Sequence, residues 1–500
     1  MMKKNSIAVI GAGFSGLSAA AYIARAGYDV HVFERHAQPG GRARQFTTDN
    51  GFVFDMGPSW YWMPEVMENF FNDFGCSTRD YFELLSLNPQ FEMVFADGAI
   101  SVPESFEDLV LLFEKTEKGA GDQLRRFMKA AAYKYEVSMN DFVHKPGNSW
   151  LEFAYLKMLG SALKLDLLTD FRSYVKRYFT NEKLRALMEF PVIFLGASPK
   201  DIPAMYSLMN YGGVGKGTFY PVGGIYQLVL AMKDVAERQG VTFHFNQNIS
   251  KIAVEDGKAV SFTANGSIHH FDGIISSADY SHTESLLDEQ YRNYEDRYWS
   301  KRTFAPSCLI YYLGFDREIP SLLHHTLFFE NDLDEHLNDV YVNKEWPTEP
   351  LFYACCPSKT DPTVAPANCE NLFLLMPLAI NLKDEEDKRE EYLKLMLARL
   401  EQKTNTAGLY NNIIYKRSYC VSDFRNDYNA YGGNAYGLAN ILSQTAVLKP
   451  KMKNRKLKNL FYTGQLTVPG PGVPPSIISG KIAAEQLART IKKTKDETTV

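Results

Sequence analysis

Two hydrophobic periods alternate along this chain. Ser6–Ile10 is a short unbroken apolar run, which suits a strand buried on both faces of a parallel sheet. Leu17, Ala20, Ala21 and Ala24 then recur at i, i+3, i+4 and i+7, the spacing of one helical face. Gly27 stands where a glycine closes a helix, and Val30, Val32 and Phe33 predict a second strand. Further on, residues 225–239 predict a helix, 241–245 a strand, Gly257 a hairpin turn and 271–276 another strand. The stretch 61–210 carries long amphipathic segments, such as 181–188 and 205–209, and reads as mainly helical. Residues 383–401 are strongly charged and predict a solvated helix. Near the carboxyl end, 457–464 predicts a strand ending in glycine, and 476–487 a helix with Pro475 in its first turn.

Composition narrows the class. Of 500 residues, 45% are hydrophobic, 13% aromatic and 23% charged, which excludes a disordered, fibrous or low-complexity chain. The 33 Phe and 29 Tyr stand against only 5 Trp; either a large aromatic core or an apolar tunnel or membrane-facing patch accounts for them. The net charge of -5 offers no basic footprint for nucleic acid. Six cysteines without a CxxC pair point to a reduced, cytoplasmic chain, and adjacent Cys355 and Cys356 read as buried strand residues. No apolar stretch reaches the roughly 20 residues of a spanning helix, so any membrane contact is expected to be peripheral. The segment 150–179, rich in Leu, Phe, Tyr, Lys and Arg, is a candidate for such a surface, or else a core-facing helix.

The junction between first strand and helix carries the clearest chemistry. It reads G-A-G-F-S-G, with Gly11, Gly13 and Gly16 at the spacing of a dinucleotide turn. The first glycine permits a tight turn, the second lets a pyrophosphate approach the backbone, and the third lets helix and strand pack closely. The helix start offers free N–H groups and a positive dipole end to phosphate. Glu34 ends the second strand, where an acid accepts ribose hydroxyls and disfavours a 2′-phosphate. A second glycine turn, Pro39, Gly40, Gly41 and Arg42, follows closely, then the run Asp55, Met56, Gly57, Pro58 and Ser59. The loop from Gly464 to Pro475 holds three glycines and four prolines, a backbone suited to close approach to a flat ring.

These motifs resemble a large flavoprotein group that includes amine oxidases, carotenoid desaturases and the flavin-less GDP-dissociation inhibitors. The carboxyl-terminal loop, the stretch YACCPSKTDPTVAP at 353–366, and Asp423, Asn429, Tyr431, Gly432, Gln444 and Thr445 resemble the desaturases of the phytoene type more narrowly. Val222, Gln465, Val468 and Pro475 depart from that pattern. The resemblance covers nearly the whole chain. It implies an α/β fold: a Rossmann-type FAD-binding domain assembled from residues 1–80, 215–285 and 450–490, a helical insertion at 81–214 with a membrane surface as one expected contact, and a mixed-sheet substrate domain at 286–449. Residues 491–500 are expected to form a disordered tail.

The cofactor implied is FAD. Its expected contacts are Gly11, Gly13, Phe14, Ser15 and Gly16 in the first turn, Glu34 and Arg35 after the second strand, and Gly41 and Arg42 in the second turn. Gly57, Pro58, Ser59 and Trp60 are expected along the flavin, Ile249 beside the adenine, and Gly464, Gln465, Gly472 and Val473 in the terminal loop. His324, His325, Tyr431 and Gln444 are the candidate substrate-tunnel residues. No metal is expected, because the His pairs at 269–270 and 324–325 lack HExxH spacing. No GxSxG elbow and no P-loop is present, and no catalytic base is legible. The leading expectation is FAD-dependent desaturation of phytoene or a related C40 polyene, peripherally associated with a membrane, with oxygen or a quinone as final electron acceptor. The alternatives are 3,4-desaturation of a hydroxylated or monocyclic carotenoid, carotenoid isomerisation, amine oxidation, or a lipid-binding escort without flavin.

Overall fold

The run Ser6–Ile10 becomes the central strand of a five-stranded parallel sheet in the computed structural model, which describes residues 4–149, 152 and 165–498. Asp29–Phe33 and then Thr242–His244 lie on one side of it, and Gly273–Ser276 and then Leu460–Tyr462 on the other. Both faces are buried, as an unbroken apolar run requires. Ile7 and Val9 point into one hydrophobic cluster, Ala8 and Ile10 into another. The strands come from three stretches far apart in sequence, so the sheet forms only when both chain ends meet.

Two helices close that meeting. The helix Phe14–Arg25 packs against the final helix, Val473–Thr498. The contact runs through Gly480, where a Cβ would overlap the Ser15 carbonyl oxygen and lie 2.7 Å from Ser18 Cβ. Beside it, the Ser18 hydroxyl donates to the Ile477 carbonyl at 2.7 Å.

A second, seven-stranded sheet is mixed. Its order is Ile413–Tyr419, Ser307–Phe315, Glu370–Leu378, Phe352–Cys355, His325–Phe328, Phe91–Phe95 and Gly98–Val102. All its pairs are antiparallel except His325–Phe328 with Phe91–Phe95. Alternation along Ser307–Phe315 divides its side chains: Cys308, Ile310 and Tyr312 face the cluster shared with the first sheet, whereas Leu309, Tyr311, Leu313 and Phe315 face the other side. There the helix Glu386–Thr404 covers them with Tyr392, Leu393, Met396, Leu397 and Leu400. The charged segment read as a solvated helix is therefore amphipathic, with one stripe seated on the sheet.

Two further expectations change. The stretch read as helical from 61 onward contains strands at Leu84–Ser86, Phe91–Phe95 and Gly98–Val102; the last two join at Ala96-Asp97 as a tight hairpin and extend the mixed sheet. Helix flanks these strands, at Pro64–Asp73 before them and from Phe106 after them. The tail expected to be disordered from residue 491 is instead a continuation of the final helix to Thr498. Lys, Arg and Glu are good helix formers, and no proline or glycine follows Gly480 to stop it. The candidate membrane segment 150–179 lies outside the described residues at 150, 151 and 153–164; its described helix, Phe171–Lys176, buries Phe171, Tyr174 and Val175. Among the described residues, no helix is long and apolar enough to cross a membrane.

The helix contact gives a direct test. Gly480→Val is expected to cost about 2–3 kcal/mol, the upper end for overpacking, because backbone rather than a movable side chain opposes the new atoms. Thermal unfolding reads this, and an unchanged midpoint would contradict the close approach.

Candidate active site

The three glycines of the first turn do three different jobs. Gly11 adopts φ +92°, and its N–H donates to the Phe33 carbonyl at 2.8 Å, tying the turn to the second strand. At Gly16 a Cβ would overlap the Gly11 carbonyl oxygen, so only glycine lets helix and turn touch. At Gly13 a Cβ would meet nothing nearer than 4.0 Å, where Gly41 Cα and Ser277 Oγ stand. Its missing side chain leaves open space in front of the helix start. The second glycine turn is pinned against the first by the Gly40 N–H, which donates to the Ala12 carbonyl at 2.8 Å. Glu34, 5% exposed, receives the Ala12 N–H at 2.8 Å and the His36 N–H at 3.0 Å, and it still lines the cavity.

Charged groups around this space are left without full partners. Arg42 is held over the Tyr428 ring at 4.9 Å, and its Nη2 donates to the Asn434 carbonyl at 3.4 Å, but its buried Nε has no partner. Burial lowers the pKa of its guanidinium, and Asp279 opposes that shift. The Asp279 carboxyl is pushed up to about 6 by burial, against the pull of Arg42, and its Oδ2 closes no hydrogen bond. Arg35 Nη1 and Gln465 Nε2 are buried and unpartnered as well. Arg44 differs: it pairs with Asp427 at 2.7 Å. Unpaired buried donors are costly unless a ligand satisfies them. A hole kept by glycine, a helix start and free guanidinium groups together fit the diphosphate of a dinucleotide.

The terminal loop completes the cradle. Gly464 takes φ +108° with its N–H on Ser479 Oγ at 3.0 Å, and Gly472 takes φ +116° just before the final helix. Gly470, Pro471 and Pro474 stand on the same wall.

From this cradle a single cavity of about 1190 Å³ runs on between the two sheets and under the helices of the insertion. Of the expected cofactor contacts, all but Gly16 line it, and Gly16 serves packing instead. Beyond Trp60 its walls are mainly apolar, with Lys145, His336 and Asn440 among them. Phe190 and Phe194 come from the Glu182–Ile193 helix and its end; Met205, Tyr206 and Met209 follow in the next turns. Met139 and Phe142 reach in from a π-turn at Ser138–Phe142. These residues were not singled out in the sequence, although their amphipathic stripe was the available signal.

The four candidate tunnel residues do not line the cavity. His325 lies behind Trp60, stacked on its ring at 4.0 Å. His324 is turned toward Thr360, with Nδ1 2.8 Å from its hydroxyl. Tyr431 stacks on Phe304 at 4.8 Å. Gln444 clamps the Thr303 backbone, accepting from its N–H at 3.0 Å and donating to its carbonyl at 2.8 Å. Each of the four makes hydrogen bonds or ring contacts within the protein instead.

Comparison with known proteins agrees with this geometry. Residues 14–488 match the flavin containing amine oxidoreductase family, and the chain belongs to it. It is 38% identical over 488 residues to a carotenoid 3,4-desaturase of Haloarcula japonica, covering 97% of this chain and 98% of that one. It is 30% identical over 487 residues to a zeta-carotene-forming phytoene desaturase of Myxococcus xanthus, covering 96% and 93%. An oxidoreductase from Methanosarcina mazei shares the fold, with TM-score 0.62 at 18% identity over 96% of this chain and all of that one. The protein is accordingly an FAD-dependent oxidoreductase.

Two outcomes follow for the cradle. Gly13→Leu would fill the space left in front of the helix start, and the purified variant is expected to retain less than about a tenth of the flavin, a loss of at least roughly 1.4 kcal/mol in binding; visible absorbance measures it. The Asp279 carboxyl is neutral below about pH 6 and a carboxylate above it, where it would share the cavity with phosphate. FAD affinity should therefore rise as the pH falls from about 8 to 5. Asp279→Asn, which keeps an oxygen to accept from the Ser281 and His282 N–H groups at the start of helix Tyr280–Ser285, should flatten that dependence; titration of apoprotein with FAD checks both the slope and its loss.

Proposed function

We propose that the protein desaturates a long C40 carotenoid, introducing a 3,4 double bond at the end of an existing polyene. The observation that carries this reading is the single cavity, which joins a dinucleotide cradle to an apolar channel. At about 1190 Å³ it exceeds the roughly 300–1,000 Å³ of an ordinary small-ligand pocket, as two ligands end to end require. The 38% identity with a carotenoid 3,4-desaturase supports the position of the new bond. Desaturation of phytoene is the second reading, supported by the Myxococcus relative.

In this reading Gly13, Gly41 and Arg42 hold the diphosphate, Glu34 the ribose and Ile249 the adenine side. Ser59, Trp60, Gly464, Gln465 and Val473 border the ring system. Bound flavin supplies the acceptor for a hydride from the substrate carbon. The second hydrogen would leave the neighbouring carbon as a proton that passes to solvent, and conjugation with the polyene stabilises its loss. The acids on the cavity wall, Glu34, Asp279 and Asp427, belong to the glycine turns and the arginines beside them. Phe190, Phe194 and Met209 orient the polyene and exclude water. Oxygen or a quinone would be the final electron acceptor. Leu165 and Leu167 line the cavity while neighbouring Leu168 is 93% exposed, which supports an opening toward a lipid surface.

Incubation with carotenoids in liposomes, followed by chromatography and mass analysis, tests the reading. A 3,4-dihydro carotenoid is expected to lose two hydrogens and shift its absorption to the red. Gain of double bonds by phytoene alone would favour the second reading; oxidation of an amine with neither polyene changed would overturn both. Met209→Arg is expected to lower turnover more than about tenfold while flavin stays bound, because an unpaired charge would sit in the apolar channel.

A further inference from the structure

A compact group of ligating side chains lies behind the Trp60 wall and takes no part in the chemistry above. His324 and His325 are 5% and 0% exposed, and Cys355 is 2% exposed. Antiparallel pairing sets Cys355 directly opposite His325, so the two side chains share one face of the sheet. One ring nitrogen of each histidine and the Cys355 sulfur all lie within 4.8 Å of one another. The Nδ1 of His324 is 2.8 Å from the Thr360 hydroxyl, and the Nδ1 of His325 is 2.6 Å from the Tyr353 hydroxyl. The Nε2 atoms of both rings are buried and have no partner.

That pattern is the one metal-binding histidines show: one nitrogen oriented by a hydrogen bond, the other left free. We propose that His324, His325 and Cys355 bind one d10 cation, Zn(II) or Cu(I), through two imidazole nitrogens and a thiolate. Two nitrogens and a sulfur suit borderline or soft ions and not Mg(II) or Ca(II), which take oxygen ligands. Burial already keeps both rings neutral, the state in which imidazole ligates; the pKa of His324 is pushed down to about 3. The Cys355 thiol, pushed up to about 12 by burial, gives its proton to solvent as the metal–sulfur bond forms, and no electron is transferred. The ion would tie His325–Phe328 to Phe352–Cys355 beside the ladder hydrogen bonds. Because the His325 ring stacks on Trp60 at 4.0 Å, it would also fix one wall of the substrate channel.

The test uses full-length, flavin-loaded protein. Samples are incubated with Zn(II), or anaerobically with Cu(I), then gel-filtered, and bound metal is measured by mass spectrometry. About one equivalent of one of the two ions is expected to stay, and X-ray absorption should show sulfur together with imidazole nitrogen in its shell. Cys355→Ser and His324→Gln should each weaken retention by roughly tenfold or more, with flavin content unchanged. Folded, flavin-bearing protein that retains neither ion would overturn the assignment, as would a shell of oxygen and nitrogen alone. The absorption measurement needs no variant, so it decides the matter even if both substitutions impair folding.

Discussion

The first and last helices of this protein touch backbone to backbone, and the rest of the molecule depends on that contact. Gly480 leaves no atom between the final helix and the Ser15 carbonyl, and the Ser18 hydroxyl bonds across to Ile477. The close approach carries Gly464, Gln465 and Val473 to the mouth of the turn at Gly11, Gly13 and Gly16. A site whose halves are over 400 residues apart is thus held by a few small side chains. The parallel sheet obeys the same constraint, since its edge strand Leu460–Tyr462 pairs with Gly273–Ser276 only once the chain has returned.

The cradle is also where the protein leaves buried charge uncompensated. Arg42 Nε, Arg35 Nη1 and Asp279 Oδ2 have no partners, whereas nearby Arg44 and Asp427 satisfy each other. Burying such groups is costly, and a bound diphosphate offsets the cost for the cations. Asp279 works against that anion in its ionised form, and burial moderates the conflict by raising its pKa to about 6. The channel beyond Trp60 follows the opposite rule. Its polar neighbours Gln444 and Tyr206 spend their hydrogen bonds on Thr303 and Thr445, and His324 and His325 each spend one ring nitrogen, on Thr360 and Tyr353. A polyene offers nothing for polar groups to bind, so walls of Phe and Met cost nothing in lost hydration.

The cradle was legible residue by residue because its requirements are local. A turn with positive φ, a close approach and a free helix start each demand glycine at a fixed spacing, and all but one of the expected contacts line the cavity. Gly16 is absent from that wall and serves the packing its place in the turn predicts. The substrate side was not legible in this way. Adjacent His324 and His325 looked available for a tunnel, yet the strand pairing with Cys355 and the stacking on Trp60 place them outside it. Likewise the strands at Phe91–Phe95 and Gly98–Val102 were absorbed into a region read as helical, because their partner, His325–Phe328, lies more than 200 residues away.

The sequence by itself determined the cofactor turn, the strand–helix–strand unit around it and the flavoprotein class, since backbone geometry and short-range periodicity encode them directly. Tertiary structure decided which side chains form the channel, which histidines stand behind its wall, and how far the final helix runs. Those outcomes depend on which faces are buried against distant segments, and burial is a property of the assembled layers that no local spacing records.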